Sequence, residues 1–113
     1  GKYYVSPHFG KAPFFAFIEI SNSNYRIIEV VENPHAPCEG GRGRLVIEFL
    51  RTRSVSAVIA VSVGYGAFKR LKEQGIKVYY VPQQRSQLVE LEKAIQMYLN
   101  NELEEAREPR EID

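Results

Sequence analysis

The sequence predicts a single α/β domain built on a mixed sheet. Two β-branched and aromatic runs near the start are separated only by four small polar residues, which is a hairpin signature. A short run further on is apolar at every position, as in a parallel strand covered on both faces. Three stretches with apolar residues at helical spacing then alternate with the remaining strands, and that order implies right-handed crossovers between parallel strands. With 113 residues, 44% hydrophobic and 26% charged, the chain fits one domain with a modest core. Residues 1–103 are read as that domain and 104–113 as a polar C-terminal tail, solvated and frayed.

Phe14 to Ile20 and Tyr25 to Val31 are the hairpin strands, with Ser21-Asn22-Ser23-Asn24 as the turn. Glu19 and Glu29 interrupt them, as expected where one face is partly wet; a carboxylate pair across the hairpin is the sharper alternative. The stretch from Asn33 to Gly43 holds two prolines and three glycines and reads as a loop. Leu45, Val46, Phe49 and Leu50 place a helix behind it, to about Arg53. Ala57 to Val61 is the strand with two covered faces. Ser62-Val63-Gly64-Tyr65-Gly66 turns into a helix through Ala67, Phe68, Leu71 and Lys72, which Gly75 terminates. Ile76 to Val81 is the next strand, stopped by Pro82. Ser86 is a candidate cap for a last helix with Leu88, Leu91, Ala94, Ile95, Tyr98 and Leu99 on one face.

Fifteen basic against fourteen acidic side chains leave a net charge of +1, which argues against general attraction to nucleic acid or an anionic membrane. No stretch has the apolar length of a membrane span, and the opening residues do not read as a signal peptide; a cytoplasmic protein is expected. Cys38 is the only cysteine, so neither an intrachain disulfide nor a Cys-rich metal motif can form within one chain.

In open α/β sheets ligands gather where strands lead into helix N-termini. Two loops qualify. Gly40, Gly41, Arg42 and Gly43 open the first helix, and Gly64, Tyr65 and Gly66 open the second. Each can offer free backbone N–H groups and the positive end of a helix dipole to an anion. Arg42 and Arg44 add positive charge, although a solvated arginine pair reads the same way. Neither loop matches a dinucleotide or P-loop fingerprint. His8, His35 and Cys38 are the candidate metal ligands, with the Met97 thioether as a weaker one. Taken singly, each is better read as a solvated histidine or a buried free thiol than as a ligand. No nucleophile motif and no magnesium-binding carboxylate constellation is evident, so no catalytic residue is assigned and an enzyme is not expected.

Ser6-Pro7-His8-Phe9-Gly10-Lys11-Ala12-Pro13-Phe14-Phe15, then Glu32-Asn33-Pro34, Gly40-Gly41-Arg42-Gly43 and Ala57-Val58-Ile59-Ala60, resemble the NifX-like, dinitrogenase iron–molybdenum cofactor biosynthesis family. Val63-Gly64, Ala67-Phe68, Leu71-Lys72 and Gly75-Ile76-Lys77-Val78-Tyr79 continue the likeness in order, so that it runs from Val5 to about Glu105. The resemblance implies a ribonuclease H-like fold with five strands, and binding or carriage of an iron–sulfur or iron–molybdenum cluster during cofactor assembly. It also implies a short central strand ahead of the segment equivalent to Gly1; either that strand lies upstream or Lys2-Tyr3-Tyr4-Val5 stands in for it.

Two departures bear on the site. Gly64-Tyr65-Gly66 stands where the family often has Gly-Pro-Asn, and Glu39 or Gly40 stands where some relatives have histidine. The expected partners are a metal cluster or small anion and cofactor-assembly proteins, with homo-oligomers also compatible. A phosphate-binding module using the same loops, or a scaffold protein, are the alternatives.

Overall fold

The computed structural model describes residues 2–35, 42–82 and 88–111. β1 (Phe14–Ser21) and β2 (Asn24–Glu32) form the expected antiparallel hairpin. Ser21 pairs with Asn24, leaving Asn22 and Ser23 as a two-residue turn, and Asn22 takes a φ of 57°. Asparagine tolerates that left-handed backbone because its short side chain bonds locally. Between Phe17 and Ile18 the register slips, with Phe17 opposite Glu29 and Ile18 opposite Ile27, so Ile28 is the extra residue of a β-bulge. Glu19 and Glu29 therefore do not face each other. Glu19 pairs with Arg26 at 3.2 Å and Glu29 with Arg53 at 3.1 Å.

α1 (Arg42–Arg51) starts earlier than the apolar spacing suggested and buries Val46, Ile47 and Leu50. β3 (Ala57–Ala60) and β4 (Lys77–Tyr80) pair in parallel around α2 (Tyr65–Glu73), which buries Phe68 and Leu71. Gly75, at φ 75°, ends α2: its N–H bonds Lys72 O at 3.0 Å and the Ile76 N–H reaches back to Leu71 O at 2.9 Å. α3 (Leu91–Leu99) buries Ala94 and Ile95. Its N-cap is Glu90, without a side-chain cap bond; Ser86 lies outside the described residues, and Leu88 is exposed instead of extending the apolar stripe.

Alternation along β3 and β4 sorts the core into two layers. Val58, Ala60 and Val78 pack with α1 and α2, while Val61 and Val81 join Val89, Ala94 and Leu103 on the α3 side. This is the doubly covered strand the apolar run predicted. Phe9, Phe15, Phe49 and Phe17, in that order, weld the hairpin to the first layer, with successive ring centroids 5.6, 6.1 and 6.2 Å apart.

Two features depart from expectation. Among the described residues the strands form two separate two-stranded sheets, β1 with β2 and β3 with β4, in place of one mixed sheet. Lys2–Val5 does not bridge them: Tyr4 pairs with Glu90, and the Val5 N–H bonds Val89 O at 2.8 Å. The C-terminal segment is docked where a frayed end was expected. Leu103 and Ala106 are buried, the Ala106 N–H bonds Val78 O at 2.7 Å, and Arg110 exchanges backbone bonds with Val63 at 2.8 and 3.0 Å. Two apolar residues at a spacing of three in a charged stretch were its only sequence signal. No helix among the described residues is long and apolar enough to cross a membrane.

Candidate functional site

The carboxyl end of β3 leads into Gly64, Tyr65 and Gly66 at the start of α2, and His8 lies on a segment bonded to Ser62 between them. The short connection Thr52–Ser56 turns the chain back, so α1 begins, and α2 begins, near the edge at which β3 ends. The segment before β1 closes over the same edge. The Phe9 N–H bonds Ser62 O at 3.3 Å, and the Ser62 hydroxyl donates to Pro7 O. Asn33, 3% exposed, ties the end of β2 to this segment: its amide donates to Gly10 O at 3.2 Å and Ala12 O at 2.9 Å, while its Oδ1 accepts the His35 N–H at 2.9 Å. A buried amide with every strong group satisfied fixes two loops against each other.

His8 and His35 lie on those two loops. Both are partly buried. The His8 backbone is held by Ser6, whose hydroxyl donates to His8 O at 3.1 Å, and the His35 ring meets Phe49 edge-on at a centroid distance of 6.3 Å. Cys38, Gly40 and Gly41 lie outside the described residues. Arg42 and Gly43 form the first turn of α1, which is the helix N-terminus expected there. Among the described residues no three His, Cys, Asp or Glu side chains converge as a metal cluster would need.

The second loop is fully described. Gly64 is the N-cap of α2, with extended backbone and no side-chain cap, so the first N–H groups of the helix look outward. Tyr65 is 67% exposed. A carboxylate already sits at this N-terminus: Glu111 Oε1 accepts the Tyr65 N–H at 3.4 Å, and a Cβ on Gly64 would lie 3.0 Å from the same oxygen. A Cβ on Gly66 would meet the far end of the exposed Arg70 side chain at 3.4 Å, an ordinary contact. The loop thus has the chemistry of an oxyanion seat, with an internal carboxylate in the position of the anion.

Sequence reasoning missed Arg110, which delivers that carboxylate. Its guanidinium donates to Val61 O at 2.9 and 2.6 Å and to Val81 O at 2.5 Å, and stacks on the Tyr80 ring at 4.4 Å. One arginine fork therefore ties the ends of β3 and β4 to the C-terminal segment. Burial pushes the Tyr80 phenol above its ordinary range, and Tyr80 remains a donor, to Glu108 O at 3.0 Å. An arginine in a charged tail gives no local pattern by which to pick it out.

Fold and site together define a small α/β protein whose loop at the end of a parallel strand pair leads into a helix N-terminus. The family model for the dinitrogenase iron-molybdenum cofactor matches residues 1–101, and the chain belongs to that family. The uncharacterized protein MJ0580 of Methanocaldococcus jannaschii is 28% identical over 100 residues, covering 88% of this chain and 80% of its own. The apo orange protein of Desulfovibrio gigas superposes with a TM-score of 0.83 at 23% identity, over 97% of this chain and 87% of that one, and shares the fold. A Thermotoga protein described as a NifB protein superposes at 0.72 with 30% identity, over 96% and 85% of the two chains.

Proposed function

We propose that the chain is a carrier for an anionic metal cluster of the iron–sulfur or iron–molybdenum type, or for its precursor, and not a catalyst. Family membership supports the cargo class, and the observation that carries the reading is the carboxylate oxygen seated on the Gly64–Tyr65 N-terminus of α2. A sulfide-bridged cluster is anionic, so the backbone N–H groups of Gly64, Tyr65 and Gly66 and of the Gly40, Gly41, Arg42, Gly43 turn hold it by charge and hydrogen bonding. His8, His35 and Cys38 supply the direct bonds. Few protein ligands suit a carrier that hands its cargo on to cofactor-assembly partners. Such a carrier works in the cytoplasm, in keeping with a single cysteine. A ribonuclease H-like fold belongs to the same reading, supported by a parallel β–α–β unit beside an antiparallel hairpin.

The test is metal and sulfide content, with the visible spectrum, of protein purified without oxygen and then supplied with iron, sulfide and molybdate. A stoichiometric chromophore that disappears in the His8→Ala, His35→Ala, Cys38→Ser triple variant is expected. A colourless, metal-free protein under both conditions sinks the cluster reading. The same seat favours a second reading, a phosphate-bearing small molecule held without metal. Under it, binding survives chelators and falls more in Arg42→Gln than in Cys38→Ser.

A further inference from the structure

The N-terminus of α2 carries no countercharge of its own, since no acidic residue lies in its first turn and Gly64 has no side chain to cap it. The carboxylate found there comes instead from Glu111, 46 residues on from Tyr65. A strap formed by residues 103–111 delivers it. Leu103 and Ala106 are buried, the Ala106 N–H bonds Val78 O, Glu105 pairs with Lys72 at 3.0 Å, and Arg110 exchanges backbone bonds with Val63. Consecutive side chains of an extended segment leave on opposite sides. The Arg110 guanidinium accordingly turns to the strand ends at Val61 and Val81, while the Glu111 carboxylate turns to α2.

Anchor and occupant differ in how firmly they are held. Arg110 is half-buried, donates three hydrogen bonds to strand-end carbonyls and stacks on Tyr80. Glu111 is exposed, and among the described residues its carboxylate makes a single hydrogen bond, of 3.4 Å, to the Tyr65 N–H. An exposed carboxylate at a helix N-terminus is favoured there by a factor of about two to five. Its side chain has several rotatable bonds, so it can leave the helix end without any movement of the backbone that Arg110 pins. The strap is therefore fixed and its carboxylate exchangeable.

We propose that Glu111 is an intramolecular competitor for the anion seat: the strap holds its carboxylate on the α2 N-terminus when no cargo is bound, and an incoming anion displaces it into water. This rests on the reading of the Gly64, Tyr65 and Gly66 N–H groups as a seat for anionic cargo. On binding, an oxygen or sulfide of the ligand takes over the Tyr65 N–H while Arg110 keeps the strap in place. The affinity of the seat is multiplied by the fraction of molecules in which it is vacant, so a seated carboxylate weakens binding about threefold. A seat that refills with an internal anion favours release of cargo over retention, which is what a carrier needs at hand-over.

The experiment titrates inorganic molybdate into the unaltered protein, Glu111→Gln and Glu108→Gln, following the backbone amide signals of Tyr65 and Gly66 by nuclear magnetic resonance. Glu108 is an exposed carboxylate of the same strap, so its variant removes the same charge without touching the seat. The expected result is that Glu111→Gln moves the Tyr65 signal before any molybdate is added and then saturates at about threefold lower molybdate than the unaltered protein, with Glu108→Gln close to the unaltered protein. A Tyr65 signal unmoved by Glu111→Gln overturns the proposal, as do equal midpoints for that variant and the unaltered protein. Equal tightening by Glu108→Gln also overturns it, because the strap then acts through its charge alone. In each of these outcomes a saturable response at Tyr65 and Gly66 leaves the seat itself standing. No response to molybdate in any of the three proteins overturns the seat together with its competitor, and the cluster chromophore then decides the carrier reading separately.

Discussion

Replacing Arg110 by alanine should destabilise the protein by about 3 kcal/mol. The guanidinium makes three hydrogen bonds to the carbonyls that end β3 and β4 and covers the Tyr80 ring. A hydrogen bond to a charged group contributes about 1.5–3 kcal/mol when buried, and stacking on an aromatic face about 0.5–1 kcal/mol at an exposed site. The site is only partly buried, so water replaces some of these bonds in the variant and the sum stays well below the simple total. At roughly 4 °C per kcal/mol for a chain of this length, the melting temperature should fall by about 12 °C. Urea denaturation, with midpoint and slope fitted separately, gives the free energy, and Arg107→Ala serves as an exposed control. Arg110→Lys should recover only part of the loss, because an ammonium lacks the planar fork. A change within about 0.5 kcal/mol for Arg110→Ala would refute the docking of residues 103–111.

Asn33→Ala leaves two carbonyls and the His35 N–H without their partner, and a loss of about 2 kcal/mol is expected in denaturant unfolding; an unchanged midpoint would contradict the loop-tying role. Gly75→Ala should cost about 1 kcal/mol through backbone strain alone, since a Cβ there meets nothing within 4 Å, and Gly75→Asn should cost less; equal stability of Ala and Gly would deny the positive φ. The hydrogen bond from Lys72 holds the Glu105 carboxyl below its ordinary value of 4.5, helped by the charges of Lys72, Lys77 and Arg107. A depressed folded value means a stabilisation present above the ordinary value and lost as pH falls through the folded one. The gap in unfolding midpoint between the protein and Glu105→Gln should therefore close in acid, and a pH-independent gap would contradict the assignment.

Local chemistry determined much of this protein. The hairpin is legible because β-branched runs flank a turn whose asparagine accepts left-handed backbone, and α2 because Gly75 offers the conformation that ends it. The all-apolar Ala57–Ala60 run has the pattern of a strand with helices on both faces, and the helix N-termini at Arg42 and Gly64 follow from glycine-rich turns preceding apolar spacing. The likeness of dispersed short motifs to the cofactor family held, the family model matching residues 1–101.

Tertiary structure alone decided what those pieces meet. A charged tail does not announce that one arginine will find the carbonyls ending two strands, since that depends on where β3 and β4 stop relative to residue 110 and not on any neighbour in sequence. Glu111 reaches the α2 N-terminus for the same reason, 46 residues from Tyr65. Strand pairing is equally non-local: each of β1 and β3 carries one row of donors and acceptors that its hairpin or parallel partner cannot use. Hydrophobic pattern tells a strand which face to bury, but an edge has no side-chain signature, so which backbone fills it is settled only by what three-dimensional packing brings alongside.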